Sequence, residues 1–282
     1  MKAFATALRA ELFVAARSRS TRLIVLLPAL VVLLKLVLAK VSGITQAALQ
    51  TGASAEAFDA NNAYGYFVDG MSTGLTLLVL TMLAYCAWSF AHDRDTGVVR
   101  HLIIRRVNRV TLVLAKLGLV HLLAAISLLL LFAVNYTGCT LLWDFGPVIE
   151  DGYELISVDE IRAEIRLGLA LALSPLPATL AFGLLISVAA QSATQAVVTA
   201  LGVLLGLDIL KGMLGNAAHY VFAYYQPSII DASYLGDVAR LVRGYSDVLI
   251  DARLQTLNVW TPLPALLVFV VVTVVLIRRK KL

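Results

Sequence analysis

The sequence predicts an all-α, polytopic membrane protein with six transmembrane helices, on three observations. Of its 282 residues, 60% are hydrophobic and only 15% charged, with a mean hydropathy of +0.86, whereas an average soluble domain is about 45–50% apolar and about 25% charged. The apolar residues gather into six long runs, and about 20 such residues cross the ~30 Å hydrocarbon layer as a helix. The basic and acidic residues fall in alternate connecting segments. The predicted spans are 22–41, 72–91, 111–135, 167–190, 196–214 and 260–277.

Charge sets the predicted orientation. Residues 1–22 hold five Lys/Arg, residues 92–116 six, and the tail Arg278–Lys281 four, so fifteen of twenty-three cations lie on one side. Fourteen of eighteen acidic residues lie instead in 42–71, 136–166 and 215–259. Positive charge is retained on the cytoplasmic side, so both termini are expected in the cytoplasm. The net charge of +5 is thus read as a topology signal. The basic tail is expected to hold anionic lipid rather than nucleic acid.

Residues 1–20 carry Phe4, Leu8, Leu12 and Ala16 at four-residue spacing, with Lys2, Arg9 and Arg17 beside them. That pattern suits a helix lying in the membrane interface, or a short solvated helix leading into the first span. No cleavable leader is expected, because the first apolar run is too long and Ala53-Ser54-Ala55 lies well beyond it. Aromatic residues in 42–71 and 215–259 suit the opposite boundary. An amphipathic stretch is expected near Asp237–Leu249. Pro175 and Pro177 should kink the fourth span, since each removes a backbone donor. The small polar stretch Gln191–Gln195 should form a tight turn before the fifth. Cys86 and Cys139 fall at opposite ends of their spans and are not expected to bridge.

The loop 93–109 is the most informative segment. It runs Asp93-Arg94-Asp95-Thr96-Gly97-Val98-Val99-Arg100-His101-Leu102-Ile103-Ile104-Arg105-Arg106-Val107-Asn108-Arg109. Asp95 or Thr96 can cap a helix starting at Gly97 or Val98. Val98, Val99, Leu102 and Ile103 would share one face of it, and Arg100, His101 and Arg105 the other. Such a short cationic amphipathic helix can grip lipid or dock in a groove on a soluble partner.

Asp95-Thr96-Gly97, then Val107-Asn108-Arg109, then Ala115-Lys116 together resemble the type-2 ABC exporter permease family. There a Glu-x-Gly-Thr-like run opens the coupling helix, followed by a Pro/Ser-Arg turn and a Gly-Lys pair. This chain lacks the proline and has alanine before the lysine. The resemblance by residues covers about 25 positions. It implies an N-terminal interfacial elbow helix, a coupling helix formed by the loop, and a re-entrant-like outer segment at 215–259. Asp95, Gly97, Val98, Val99, Arg100, Leu102, Ile103, Arg105 and Arg109 become the expected ATPase-coupling residues. The chain itself contains no Gly-x-x-x-x-Gly-Lys-[Ser/Thr] phosphate loop. ATP and Mg are therefore expected on a separate cytoplasmic ATPase subunit, and this chain is expected to be non-catalytic and to bind no cofactor. Six spans resemble half a pathway and imply a second permease chain, expected as a homodimer.

Ionisable groups within spans suggest function. Lys35 and Asp208 would lie at similar depth, about 18–20 Å from the inner boundary, and are expected to approach each other within one chain or across a dimer; Lys211 is the rival partner for Asp208. Gly202 and Gly206 form a Gly-x-x-x-Gly pair suited to close helix packing, and the resemblance, in which the first and fifth spans line the dimer interface, implies that they lie there. The histidines have no metal-ligand spacing, so no metal site is expected, and His121 is read as a hydrogen-bonded interior residue. Asn135-Tyr136-Thr137 is a weak glycosylation sequon. The competing functional classes are an ion-coupled secondary transporter using Lys35 and Asp208, and a non-transporting membrane scaffold or immunity protein.

Overall fold

The computed structural model describes residues 2–49, 62–98, 108–150, 153–229, 233–244 and 252–280. Among these, six helices are long and apolar enough to cross a membrane: Arg19–Ile44, Ala63–Asp95, Arg109–Leu142, Val158–Ala189, Ala193–Leu210 and Arg253–Arg279. Each overlaps one expected span. The second is longer than its apolar run implies, because Asn62 caps it by accepting from the Tyr64 N–H and donating to the Gly146 carbonyl.

The elements run α1 (Lys2–Arg17), α2 (Arg19–Leu49), α3 (Ala63–Asp95), α4 (Arg109–Leu142), β1 (Val148–Glu150), β2 (Tyr153–Ile156), α5 (Val158–Leu173), α6 (Leu176–Ala189), α7 (Ala193–Leu210), a 3-10 turn (Gly215–Tyr220), α8 (Tyr234–Leu241), α9 (Ala252–Trp260) and α10 (Pro262–Arg279). The strands form an antiparallel hairpin with Val148 opposite Ile156 and Glu150 opposite Tyr153. Helix α3 is central, packing on α2, α4, α6 and α7.

Helix α1 is present, but its buried stripe differs from the expected one. Leu8 and Leu12 pack on the core and Ala15 is fully covered, while Ala16 is exposed. A strict four-residue spacing drifts around a helix with 3.6 residues per turn, so the seam passes to i+7.

The expected kink in span four is present as a break in hydrogen bonding between α5 and α6, across which Ser174 and Pro175 keep right-handed helical dihedrals. Pro175 has no N–H for the Leu171 carbonyl, and α5 stops at Leu173. Ser174 Oγ and Asn258 Nδ2 donate to that freed carbonyl at 3.0 and 3.1 Å. The break is thereby stitched to α9.

Close approach of α3 and α4 depends on two glycines. A Cβ at Gly70 would lie 2.2 Å from Asn135 Oδ1, and one at Gly74 would lie 2.3 Å from a Leu131 methyl. Asn135 is fully buried and donates to the Phe67 carbonyl at 2.7 Å. Its amide is a packing element there, in keeping with the weakness of the sequon it begins. The segment after α7 turns back into the bundle: the Phe222 ring meets Phe182 of α6 and Phe269 of α10 at 6.2 and 5.3 Å between centroids. Cys86 and Cys139 are free, buried thiols.

Candidate functional site at the basic end of the bundle

The end of the bundle carrying Lys2 and Lys280 also carries both anchors of the segment 99–107. Residues Val99, Arg100, Leu102, Ile103 and Arg105 lie outside the described residues, so the local geometry is that of the anchors. On the first side, α3 runs to Asp95. Thr96 caps it, and Gly97 adopts a left-handed φ of 78°, a conformation that costs glycine little. Val98, again helical, follows.

The helix that Asp95 or Thr96 is expected to cap lies beyond Val98, outside the described residues. Asp95 Oδ2 accepts from the N–H of Ala193, the first residue of α7, at 2.7 Å. Arg94 Nη1 donates to the Ala190 carbonyl at 2.7 Å, and its Nη2 lies 3.2 Å from Asp95 Oδ1. The α6–α7 turn, shorter than expected at residues 190–192, is thus held from both sides. Its carbonyl-rich α6 terminus meets a cation, and the N–H groups of α7 meet an anion. Both signs match the helix dipoles.

The second anchor is Arg109, whose Nη1 donates to the Lys280 carbonyl at 2.7 Å. Lys280 Nζ in turn donates to the carbonyls of Val188 and Ala190 at 2.6 and 3.2 Å. Burial, and secondarily Arg94, holds this ammonium below the usual lysine range, with Asp95 partly offsetting them. Both ends of the loop therefore converge on one place, the α6–α7 turn. Arg94 and Asp95 reach it directly, and Arg109 reaches it through the end of α10.

Beneath this layer lies a buried ion cluster. Lys116 Nζ is 2.5 Å from Asp93 Oδ2 and 3.1 Å from Glu11 Oε2, with 4% of the lysine side chain exposed. It ties α1, the end of α3 and the start of α4 together. A lysine bonded to two carboxylates has its desolvation offset by direct ion pairing.

Sequence reasoning missed Glu11, Asp93, Arg94 and Lys280 as site residues. One signal was available. Four acidic residues fall outside the three acidic segments, namely Glu11, Asp93, Asp95 and Asp208. Each is engaged by a cation or a backbone N–H in the fold.

The ionisable residues expected within spans separate into different neighbourhoods within this chain. Asp208 Oδ1 lies 2.6 Å from Lys211 Nζ, the rival partner, and Ser228 Oγ bridges the two. Lys35 Nζ instead donates to Thr73 Oγ1 at 2.7 Å and the Asp69 carbonyl at 3.1 Å. The local i,i+3 geometry lets Asp208 and Lys211 meet on one helix face, whereas Lys35 faces the α2–α3 seam. Gly202 and Gly206 have nothing within 4 Å of an added Cβ. His121 Nδ1 bonds the Leu117 carbonyl at 2.8 Å. Among the described residues, no group of three or more His, Cys, Asp or Glu could hold a metal ion. Comparison with protein-family models, with curated proteins and with solved structures finds no match to this chain.

Proposed function

We propose that the chain is the membrane-spanning permease subunit of an ATP-driven ABC exporter. In this reading it sits in a bacterial inner membrane with both termini in the cytoplasm, and α1 is its interfacial elbow. A cytoplasmic ATPase docks on 93–109, supplies ATP and Mg chemistry, and drives export from the cytoplasm or inner leaflet.

The observation that carries this reading is the convergence of both loop anchors on the α6–α7 turn. A force applied to 99–107 passes through Arg94 and Asp95 to the start of α7, and through Arg109 and Lys280 to the end of α6. These contacts use charged donors or acceptors, which are about twice as strong as neutral hydrogen bonds. A second permease chain packs against α7, where the open Gly202–Gly206 face permits close helix approach.

The test is purification of the tagged chain, expressed from its native genomic context, in mild detergent. A stoichiometric ATPase that copurifies with the chain and is lost with Val99→Glu and Arg105→Glu supports the proposal. Preparations with no ATPase partner refute it.

The ion-coupled alternative draws on the buried Asp208–Lys211 pair, exposed by 8% and 7%. It predicts transport that follows an ion gradient without ATP and is abolished by Asp208→Asn.

A further inference from the structure

At the opposite, acidic end of the bundle a second charged cluster lies on the lateral surface. Lys35 of α2 is exposed, and both of its hydrogen-bond partners, Thr73 Oγ1 and the Asp69 carbonyl, are neutral. The Asp69 carboxylate is engaged by Arg243, which follows α8 and whose side chain is 53% exposed. Among the described residues Lys35 pairs with no carboxylate. Among the described residues the cluster therefore holds two cations and one anion, a net charge of +1.

Depth makes that charge consequential. Lys35 lies thirteen residues beyond Arg22 on α2, or about 20 Å along the axis at 1.5 Å per residue. In a hydrocarbon layer of ~30 Å its Cα is then about 10 Å short of the far boundary. The hydrogen bond from Lys35 Nζ to the Asp69 carbonyl holds this part of α3 level with the lysine ammonium. The two helices thus place the cluster at one level, just within the leaflet at the acidic end. A lysine at that depth extends its ammonium towards the headgroups, and an uncompensated charge facing hydrocarbon is costly.

We infer that this cluster binds the phosphate group of a phospholipid in that leaflet. The Lys35 ammonium has one N–H left after its two bonds, and the Arg243 guanidinium has further donors beyond the one used on Asp69. A phosphodiester carries one negative charge and two non-bridging oxygens, which match the residual +1 and the free donors. Its acyl chains then run towards the bilayer centre along the exposed apolar flank of α2, at Leu34, Leu30 and Leu27. A bound lipid joins α2 and α3 to the segment after α8, elements that are far apart in sequence. The inference rests on the chain being membrane-embedded but not on an ATPase partner, so failure of either leaves the other standing.

The test uses the full-length chain, purified in detergent and stripped of lipid, with bound molecules counted by native mass spectrometry. Three probes separate the sources: dioleoyl phosphatidylglycerol has phosphate and tails, dioleoylglycerol has only tails, and glycerol phosphate has no tails. One phosphatidylglycerol per chain is expected in preference to the other two. Lys35→Met and Arg243→Gln should each weaken it by about tenfold, the loss of one charge-assisted contact. Lys35→Arg should retain binding, as should Lys40→Met, because Lys40 is bonded elsewhere to the Leu142 carbonyl. Equal retention of dioleoylglycerol by the unaltered chain would overturn the inference without any variant. So would glycerol phosphate binding as tightly, or undiminished phosphatidylglycerol on folded Lys35→Met.

Discussion

The two ends of this bundle handle charge in opposite ways. At the basic end, three acidic residues sit among many cations, and each joins elements distant in sequence: Glu11 and Asp93 meet at Lys116, and Asp95 reaches Ala193. At the acidic end the buried pair Asp208–Lys211 is local to one helix terminus, and the ion pairs Arg243–Asp69 and Arg162–Asp159 lie near the surface. Cohesion there comes from apolar and aromatic contacts, with Tyr66 stacked on Trp143 at 3.9 Å and Phe67, Leu131, Ile161 and Leu235 in one cluster. Paired charges fix a geometry at the basic end, while apolar packing at the other end is less directional. A rigid basic end is suited to receive force from a partner, and that is the physical content of the proposed function.

The comparison can be broken most forcefully at Lys116. Lys116→Met leaves two carboxylates without their shared cation, a change that costs about 3–5 kcal/mol when a buried ion pair loses one partner. Thermal unfolding in detergent should show a large drop in midpoint, and an unchanged midpoint would remove the ion cluster from the account. Next in size is Gly70→Val at the acidic end. It must displace Asn135, with overpacking that costs about 1–3 kcal/mol, whereas Gly202→Val should leave the unfolding of a single chain unchanged and weaken chain–chain association in cross-linking. Equal unfolding effects at the two glycines would contradict the packing described.

Asn258→Ala withdraws a donor from the Leu171 carbonyl freed by Pro175. The carbonyl keeps its bond from Ser174, so the loss is that of one hydrogen bond, about 0.5–1.5 kcal/mol, and hydrogen exchange should accelerate around residues 171–176. An effect of similar size is expected from Asp95→Ala, about 0.5–2 kcal/mol for an anionic cap on α7. Its consequence for coupling should exceed its consequence for stability.

How much of this was legible beforehand differs between fold and site. Apolar runs near 20 residues located all six helices, since crossing a bilayer leaves few alternatives to a helix of that length. Pro175 announced the break in span four, because a missing N–H is a local property. Asn258, which stitches that break, lies 83 residues further on, and nothing local joins the two. The Gly70-x-x-x-Gly74 pair carries the same signal as Gly202-x-x-x-Gly206, yet the structure fills the first with Asn135 and Leu131 and leaves the second open. Spacing identifies a helix face able to approach another; it does not say which helix arrives. The bond from the Ala193 N–H to Asp95, across the bundle, was hidden for a related reason, since local spacing does not say which distant backbone group a carboxylate meets. The coupling residues Val99, Arg100, Leu102, Ile103 and Arg105 remain expectations from the sequence alone.

The most direct test of the central claim separates docking from transmission. The double variant Arg94→Ala/Asp95→Ala, purified with the ATPase partner, should keep that partner while losing stimulation of ATP hydrolysis by transport cargo or by native lipid extract. The account predicts retained binding with stimulation reduced to the unstimulated rate. Full stimulation in the double variant would contradict it, because the loop would then drive the bundle without its clamp on the α6–α7 turn.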